Sequence, residues 1–389
     1  MMEESEEVVP EKVSLCLSCA KHPELSALVG SDSSEGVCGV CGGTENVFNP
    51  ERFEAVRNLM RALIRLHFDE QEYNHHWGGT SIHDILLAQE NPIVEIARPQ
   101  GFPDELIDRI TWEGGIYPEY DQGICLYAGN DEVAGRLLQF SIPETICSEL
   151  RDIELRLDRE NFHAVEPAME ALVSRIANEI ESEVAEGSLW YRGRIGYQHA
   201  ETHFSDMRVT RVVTPYKGAA MSALPPPQAS AGRMNRLGVS VLYVASEIET
   251  ALAEIRPHPG HTISVGGFRP SRRLRIAQFD VPISNFASSD KRLDEFAIIY
   301  HVDTLLSLPV IPEERHRYAA TQLLSDILIR RGFDGISYRS SVGAGKNLCV
   351  FDPSLFVFDE TASAVRHVDR IDYTFSEVAM VPPTRFALS

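Results

Sequence analysis

Hydrophobic and polar positions change their rhythm twice along the chain. From residue 49 onward, Phe53, Val56, Met60, Leu63 and His67 recur at helical spacing, which predicts an amphipathic helix. Asn49 and Pro50 stand just upstream as an N-cap and a proline at the first helical position. A second run, PAMEALVSRIANEIESEVAEG, lines up Met169, Leu172, Ile176 and Ile180, with Gly187 as its stop. Between these runs, RPQGFPDEL and WEGGIYPEYDQG are rich in turn formers and read as loops and short elements. Beyond residue 187 the texture becomes that of strands. VSVLYVA, RLRIAQFDV and NLCVFD alternate with turns and a few helices, an α+β pattern. The chain thus divides into 1–48, a mainly helical 49–186, and 187–389. There is no internal repeat, and the short ALPPPQASA tract reads as a flexible or extended loop.

Within the third segment, residues 239–245 predict a buried strand followed by a short helix. Ser246-Glu247-Ile248-Glu249 has the form of a capping box, and Ile248, Ala251, Leu252 and Ile255 make an apolar face that stops before Pro257. At ~100° per residue, Glu254 lies about 110° from the centre of that stripe, so it can border a cleft without entering the core.

Charge sharpens this picture. The chain has 389 residues and a formal net charge of −21, a field that disfavours any broad nucleic-acid or anionic-membrane surface. Between Trp190 and Ser240, however, seven cations (Arg192, Arg194, Arg208, Arg211, Lys217, Arg233 and Arg236) face two acids, Glu201 and Asp206. Six of the seven are arginine, whose planar fork holds phosphate oxygens in pairs. A phosphate ligand must therefore be captured locally, and this stretch is the place for it.

The N-terminus, MMEESEEVVPEKV, has neither a basic nor an apolar segment of a signal peptide, and no apolar stretch approaches a membrane span. A cytoplasmic location is expected. Cys16-x2-Cys19, eighteen residues, then Cys38-x2-Cys41 has the spacing of a four-thiolate zinc site, with Gly39 and Gly42 suited to the second knuckle. Two disulfides or a redox CxxC are the alternatives. Four thiolates close the shell, so the zinc would be structural. Cys125, Cys147 and Cys349 read as small buried hydrophobes.

Three blocks, WYRGR (190–194), AGRMNRLGVSVLYVASEIETALAE (231–254) and DGISYRSSVGAGKNLCVFDP (334–353), resemble the signature of the RES domain. The resemblance covers about half the chain, residues 188–355. With the four-cysteine zinc knuckle and helical module read upstream, it implies a C-terminal mixed α+β RES domain (187–389) with an ADP-ribosyltransferase-like fold. It also implies an enzyme that takes NAD as substrate and cleaves its nicotinamide–ribose bond, with water or phosphate as acceptor, in the setting of a bacterial toxin or defence effector. Transfer of ADP-ribose to a protein is the enzymatic alternative. A non-catalytic dinucleotide-binding sensor is the other. Carried over by residue, Arg233, Glu254 and Ser340 take the named catalytic positions, with Ser341 as a near alternative to Ser340; Arg192, Tyr243 and Asn347 are further pocket positions. Glu254 would steady the ribosyl cation as nicotinamide leaves, and the arginines would grip the pyrophosphate. An antitoxin or regulatory protein and a homo-oligomer are the partners the resemblance allows.

Each residue also has a plain reading: Glu254 a solvated helix flank, Arg233 a surface ion pair, Tyr243 a core aromatic, Ser340 a turn former. Two other motifs are set aside. SSVGAGKN (340–347) lacks the first glycine and the following helix of a phosphate loop. Arg61 and His67 have the spacing of a HEPN-type ribonuclease motif, and the second segment resembles the HEPN/RES N-terminal domain. On an unbroken helix the two lie about 120° apart, so His67 reads as a packed side chain. His75, His76 and His83 lack the arrangement of a zinc protease and read as loop and surface.

Overall fold

The computed structural model describes residues 14–73, 78–80, 82–98, 140–205, 208–372, 374–375 and 377. Its helices are α1 (Pro23–Ser31), α2 (Phe53–His67), α3 (Ser148–Leu157), α4 (Phe162–Ile176), α5 (Ile248–Glu254), α6 (Asp290–Ser307) and α7 (Tyr318–Arg330), with short helical turns between. The strands are β1 (Ser33–Val37), β2 (Thr44–Phe48), β3 (Glu181–Val184), β4 (Trp190–Ile195), β5 (His199–Ser205), β6 (Arg208–Thr214), β7 (Leu242–Ala245), β8 (Thr262–Pro270), β9 (Leu274–Gln278), β10 (Gly335–Arg339), β11 (Lys346–Val350) and β12 (Phe356–His367). This is a mixed α+β chain, as the sequence pattern predicts. Among the described residues no helix is long and apolar enough to cross a membrane.

The chain forms two compact units, 1–183 with 230–237 and 275–341, and 184–229 with 238–274 and 342–389. Residues 230–237 and 275–341, part of the third segment by sequence, thus belong to the first unit. The turn-rich stretches RPQGFPDEL and WEGGIYPEYDQG, together with Cys125, His75 and His76, lie largely or wholly outside the described residues.

In the first unit the amphipathic pattern is realised. Phe53, Val56, Met60 and Leu63 of α2 are buried, as are Met169, Leu172, Val173 and Ile176 of α4. Each such side chain contributes about 1.5–3 kcal/mol of burial relative to exposure. Asn49 accepts the Glu51 N–H at 3.0 Å and so caps a 3-10 turn that leads into α2. His67 is packed, its ring centroid 5.6 Å from that of His22, and burial pushes its imidazole down to about 4. Glu24 on α1 accepts the Ile283 and Ser284 N–H groups at 3.3 and 2.9 Å, tying the start of the chain to the segment before α6. The unit's strands run in the order β10-β9-β3, with β10 and β9 parallel.

One expected helix is shorter than its periodicity suggests. Residues 177–187 do not extend α4; they turn and pair as β3, where the Ile180 carbonyl accepts the Gln278 N–H at 2.7 Å and Arg275 reaches Glu181 at 2.6 Å. Pairing with a neighbouring strand outweighs the weak local helical preference of this acidic run.

The second unit is built on the strand order β12-β8-β4-β7-β11, all antiparallel. Leu242, Val244, Ile263, Val265, Phe268, Leu348, Cys349 and Val350 form its core. The sequence places a strand over 239–245, but β7 begins only at Leu242, and Val239 is exposed. The ladder between β4 and β7 has a single rung, Tyr191 with Ala245. A two-stranded hairpin of β5 and β6 completes the unit, with Phe204 and Val209 exposed.

Helix α5 packs on β4 at Gly193, where a Cβ would stand 2.8 Å from the Ala251 carbonyl oxygen. That oxygen belongs to helix backbone and cannot swing away. Gly193→Ala is expected to lower unfolding stability by about 1–3 kcal/mol, as overpacked sites do. Urea unfolding of the two proteins checks this; equal midpoints would contradict the packing.

Candidate active site and metal centre

In the second unit, β7 turns directly into α5, and α5 delivers Glu254 as its last residue. The capping box expected here does not form. The N-cap is Glu247, without a side-chain cap bond, and the Ser246 hydroxyl instead accepts the Lys346 N–H at 2.9 Å. A carboxylate at a helix C-terminus opposes the helix dipole, a cost of about 0.3–1 kcal/mol, so this position does not serve the helix itself. Two residues on, Arg256 has φ of 46°, the one non-glycine residue at positive φ among the described residues. The chain is held in a turn that most side chains avoid.

Glu254 is exposed, yet its carboxylate is fixed: Oε1 accepts from Nδ2 of Asn347 at 2.5 Å. Asn347 is buried on β11 opposite Ala245 of β7. Cross-strand partners share a face, so Tyr191, Tyr243, Ala245 and Asn347 lie on the side that α5 covers. Tyr243 is half-buried and stands opposite the fully buried Cys349 in the β7–β11 ladder, and burial pushes the Cys349 thiol up.

Arg192 presents the opposite situation. It follows Tyr191 on β4 and by alternation points to the other side of the strand from Gly193. Its Nη1 is buried and meets no hydrogen-bond partner among the described residues. The guanidinium is pushed down to about 10, first by burial and then by neighbouring Arg194. Desolvating an ion costs on the order of several kcal/mol, and a buried cation beside a second cation recovers none of it without an anion. Arg194 itself stacks on Tyr216 at 4.5 Å and donates to the Ala220 carbonyl.

The structure therefore gathers Arg192, Tyr243, Glu254 and Asn347 into the second unit. Arg233, Ser340 and Ser341 belong to the first. There the Arg233 guanidinium donates to the carbonyls of Leu305 at 3.1 Å and Leu308 at 2.6 Å, closing the C-terminal end of α6, and lies 5.4 Å from the Tyr318 ring. These contacts describe a residue that anchors its own loop. Ser340 is half-buried and Ser341 exposed, directly after β10. Sequence reasoning missed the hydroxyls of Ser246 and Thr250, which bond the glycine-rich strand entry at Lys346 and Gly345. Their signal was the spacing Ser246, Thr250, Glu254, four residues apart each time.

At the other end of the chain, Cys16, Cys19, Cys38 and Cys41 are buried, and their sulfurs all lie within 4.8 Å of one another. All four are free thiols, with Cys16 and Cys41 sulfurs 3.8 Å apart. A disulfide needs about 2.05 Å. Tetrahedral bonds of about 2.3 Å to one zinc ion place sulfurs about 3.8 Å from each other. The Cys19 thiol, above all, holds Cys38 well below the usual thiol range, aided by backbone N–H groups. Those of Cys16 and Val40 point at the Cys38 sulfur at 3.3 and 3.4 Å. The donor set fits a closed-shell metal site.

Comparison with known proteins bears on the C-terminal part of the chain. Residues 208–376 match the family model of the RES domain. Arg192 lies just upstream of that span. No curated protein matches the chain. Among solved structures, the crystal structure of the M. tuberculosis MbcT–MbcA toxin-antitoxin complex contains a similar chain, at 13% identity and a TM-score of 0.28, covering 51% of this chain and 93% of that one. A likeness at that score carries no weight for the site. The family match assigns residues 208–376, less than half of the chain, to the RES domain.

Proposed function

We propose that this chain degrades NAD by cleaving the nicotinamide–ribose bond, and that it acts as a toxin or defence effector of the RES type. The observation that carries the reading is the half-buried Arg192, whose Nη1 is buried and meets no hydrogen-bond partner among the described residues. A buried cation of this kind is poised for an anion, and a pyrophosphate oxygen is the anion a dinucleotide brings. Glu254 supplies the second requirement. As nicotinamide leaves, positive charge grows on the ribose, and a carboxylate already oriented by Asn347 stabilises it without reorganising. Arg192 and Glu254 both belong to the second unit, and a dinucleotide brings a pyrophosphate for the one and a ribose for the other.

Tyr243 offers an aromatic face for the nicotinamide ring. The resemblance names Ser340, with Ser341 as the near alternative, as the third catalytic position. Arg233 would serve by holding its loop, since gripping phosphate would require it to exchange two carbonyl partners. The acceptor at the ribosyl carbon is water, phosphate or a protein side chain. In the first segment, Cys16, Cys19, Cys38 and Cys41 would hold a structural zinc ion, which when bound crosslinks the two knuckles and leaves no open position for chemistry.

Purified protein is expected to release nicotinamide from NAD. A product made only with phosphate present identifies phosphorolysis, free ADP-ribose identifies hydrolysis, and labelled protein identifies transfer. NAD left intact would contradict the proposal. Glu254→Gln keeps the shape and removes the charge, and kcat should fall about 10²- to 10³-fold with folding intact; full turnover would remove Glu254 from the chemistry. Arg192→Gln should raise the KM for NAD about ten- to hundredfold, the worth of a hydrogen bond to a charged group. An unchanged KM would mean that the guanidinium meets no phosphate. Metal analysis should find one zinc per chain, lost in Cys38→Ser with nicotinamide release largely retained; a metal-free wild type would contradict the zinc assignment.

A further inference from the structure

Glu254 is the last rung of a polar ladder along one edge of α5. Just before the helix, the Ser246 hydroxyl accepts the Lys346 N–H at 2.9 Å, and the Ser246 N–H returns a bond to the Lys346 carbonyl, also at 2.9 Å. One turn on, Thr250, fully buried, accepts the Gly345 N–H at 3.0 Å. One turn further, Glu254 accepts from Asn347. Residues four apart stack on one helix face. Three consecutive residues of the strand entry, 345 to 347, are thereby pinned to one side of the helix that carries the acid.

Glycine is what lets the chain approach so closely. A Cβ on Gly345 would stand 2.7 Å from both the Ser246 and Thr250 hydroxyl oxygens, and one on Gly343 would stand 2.9 Å from the Thr250 Cα. The Gly-Ala-Gly turn is therefore not a phosphate cradle. It is a surface cut to fit α5. A buried hydroxyl at Thr250 has an isosteric apolar substitute in valine, so packing alone does not require it. What the hydroxyl adds is registry: it sets where Asn347 enters the strand, and Asn347 sets where the Glu254 carboxylate points.

We infer that Thr250 and Ser246 are positioning residues, which lock the Gly343–Gly345 turn to α5 so that Asn347 holds Glu254 in its reactive orientation. The inference rests on the NAD-cleaving reading of the site. A carboxylate displaced by as little as 1 Å loses up to about 10²-fold in rate while the remote phosphate contacts persist. Thr250→Val should therefore lower kcat about ten- to hundredfold with little change in the KM for NAD. Thr250→Ser, which restores the hydroxyl, should recover most of the lost rate.

The test pairs steady-state kinetics of full-length wild type, Thr250→Val, Thr250→Ser and Ser246→Ala with amide hydrogen exchange at Gly345 and Lys346. Support is a fall in kcat for Thr250→Val and Ser246→Ala, rescue by serine, and faster exchange at the freed amide in each folded variant. Should Thr250→Val fail to fold, Ser246→Ala carries the same prediction through the neighbouring rung. Wild-type turnover in Thr250→Val, or a loss that serine does not repair, overturns the inference and leaves NAD cleavage standing. A wild type that does not cleave NAD overturns both, and the exchange data then report on the clamp alone.

Discussion

The hydrogen bond from Asn347 to Glu254 is the constraint on which the rest of the site depends. Glu254 sits on a solvent-facing helix end where nothing in the helix stabilises a negative charge. Left alone, its side chain would sample several rotamers, and the carboxylate would be solvated rather than aimed. A buried amide from the adjoining strand removes that freedom with a charge-assisted bond, the stronger kind. The donor is placed by backbone pairing of β11 with β7, and the acceptor by the short connection from β7 into α5. Both partners hang from the same strand, so the geometry of the acid is a property of a few adjacent elements.

Electrostatics divide the labour. Arg192 is half-buried beside another arginine, and among the described residues nothing meets its buried Nη1, an arrangement that costs stability. Proteins tolerate such arrangements where a ligand relieves them. Other arginines meet partners: Arg233 on helix carbonyls, Arg236 on Asp326 at 2.9 Å, Arg339 on the buried Asp303. The cations described between residues 190 and 240 thus include ion pairs, helix-end contacts and the Arg192 guanidinium with its unmet Nη1.

Much of this was legible in the sequence because periodicity and spacing report on local physics. The buried stripe of α2, the strands β9 and β11, the mixed α+β class and the convergence of four cysteines all follow from patterns within a few residues of one another. What escaped depended on distant partners. Residues 177–187 look helical until β9 is available to pair with them. Ser246 looks like an N-cap until Lys346 is brought beside it, a hundred residues later, and offers a better-placed donor. The contacts of Arg233 escaped for the same reason, since the carbonyls it meets are on a helix far along the chain. Asn347 was legible as a pocket position through the resemblance; its bond to Glu254 emerged from the register of β7 and β11.

A structure of the wild-type protein with ADP-ribose bound would test the central claim most directly. The account predicts a pyrophosphate oxygen within hydrogen-bonding distance of the Arg192 Nη1 and the ribose beside the Glu254 carboxylate, still held by Asn347. ADP-ribose bound elsewhere, with Arg192 still buried and unmet, would contradict it.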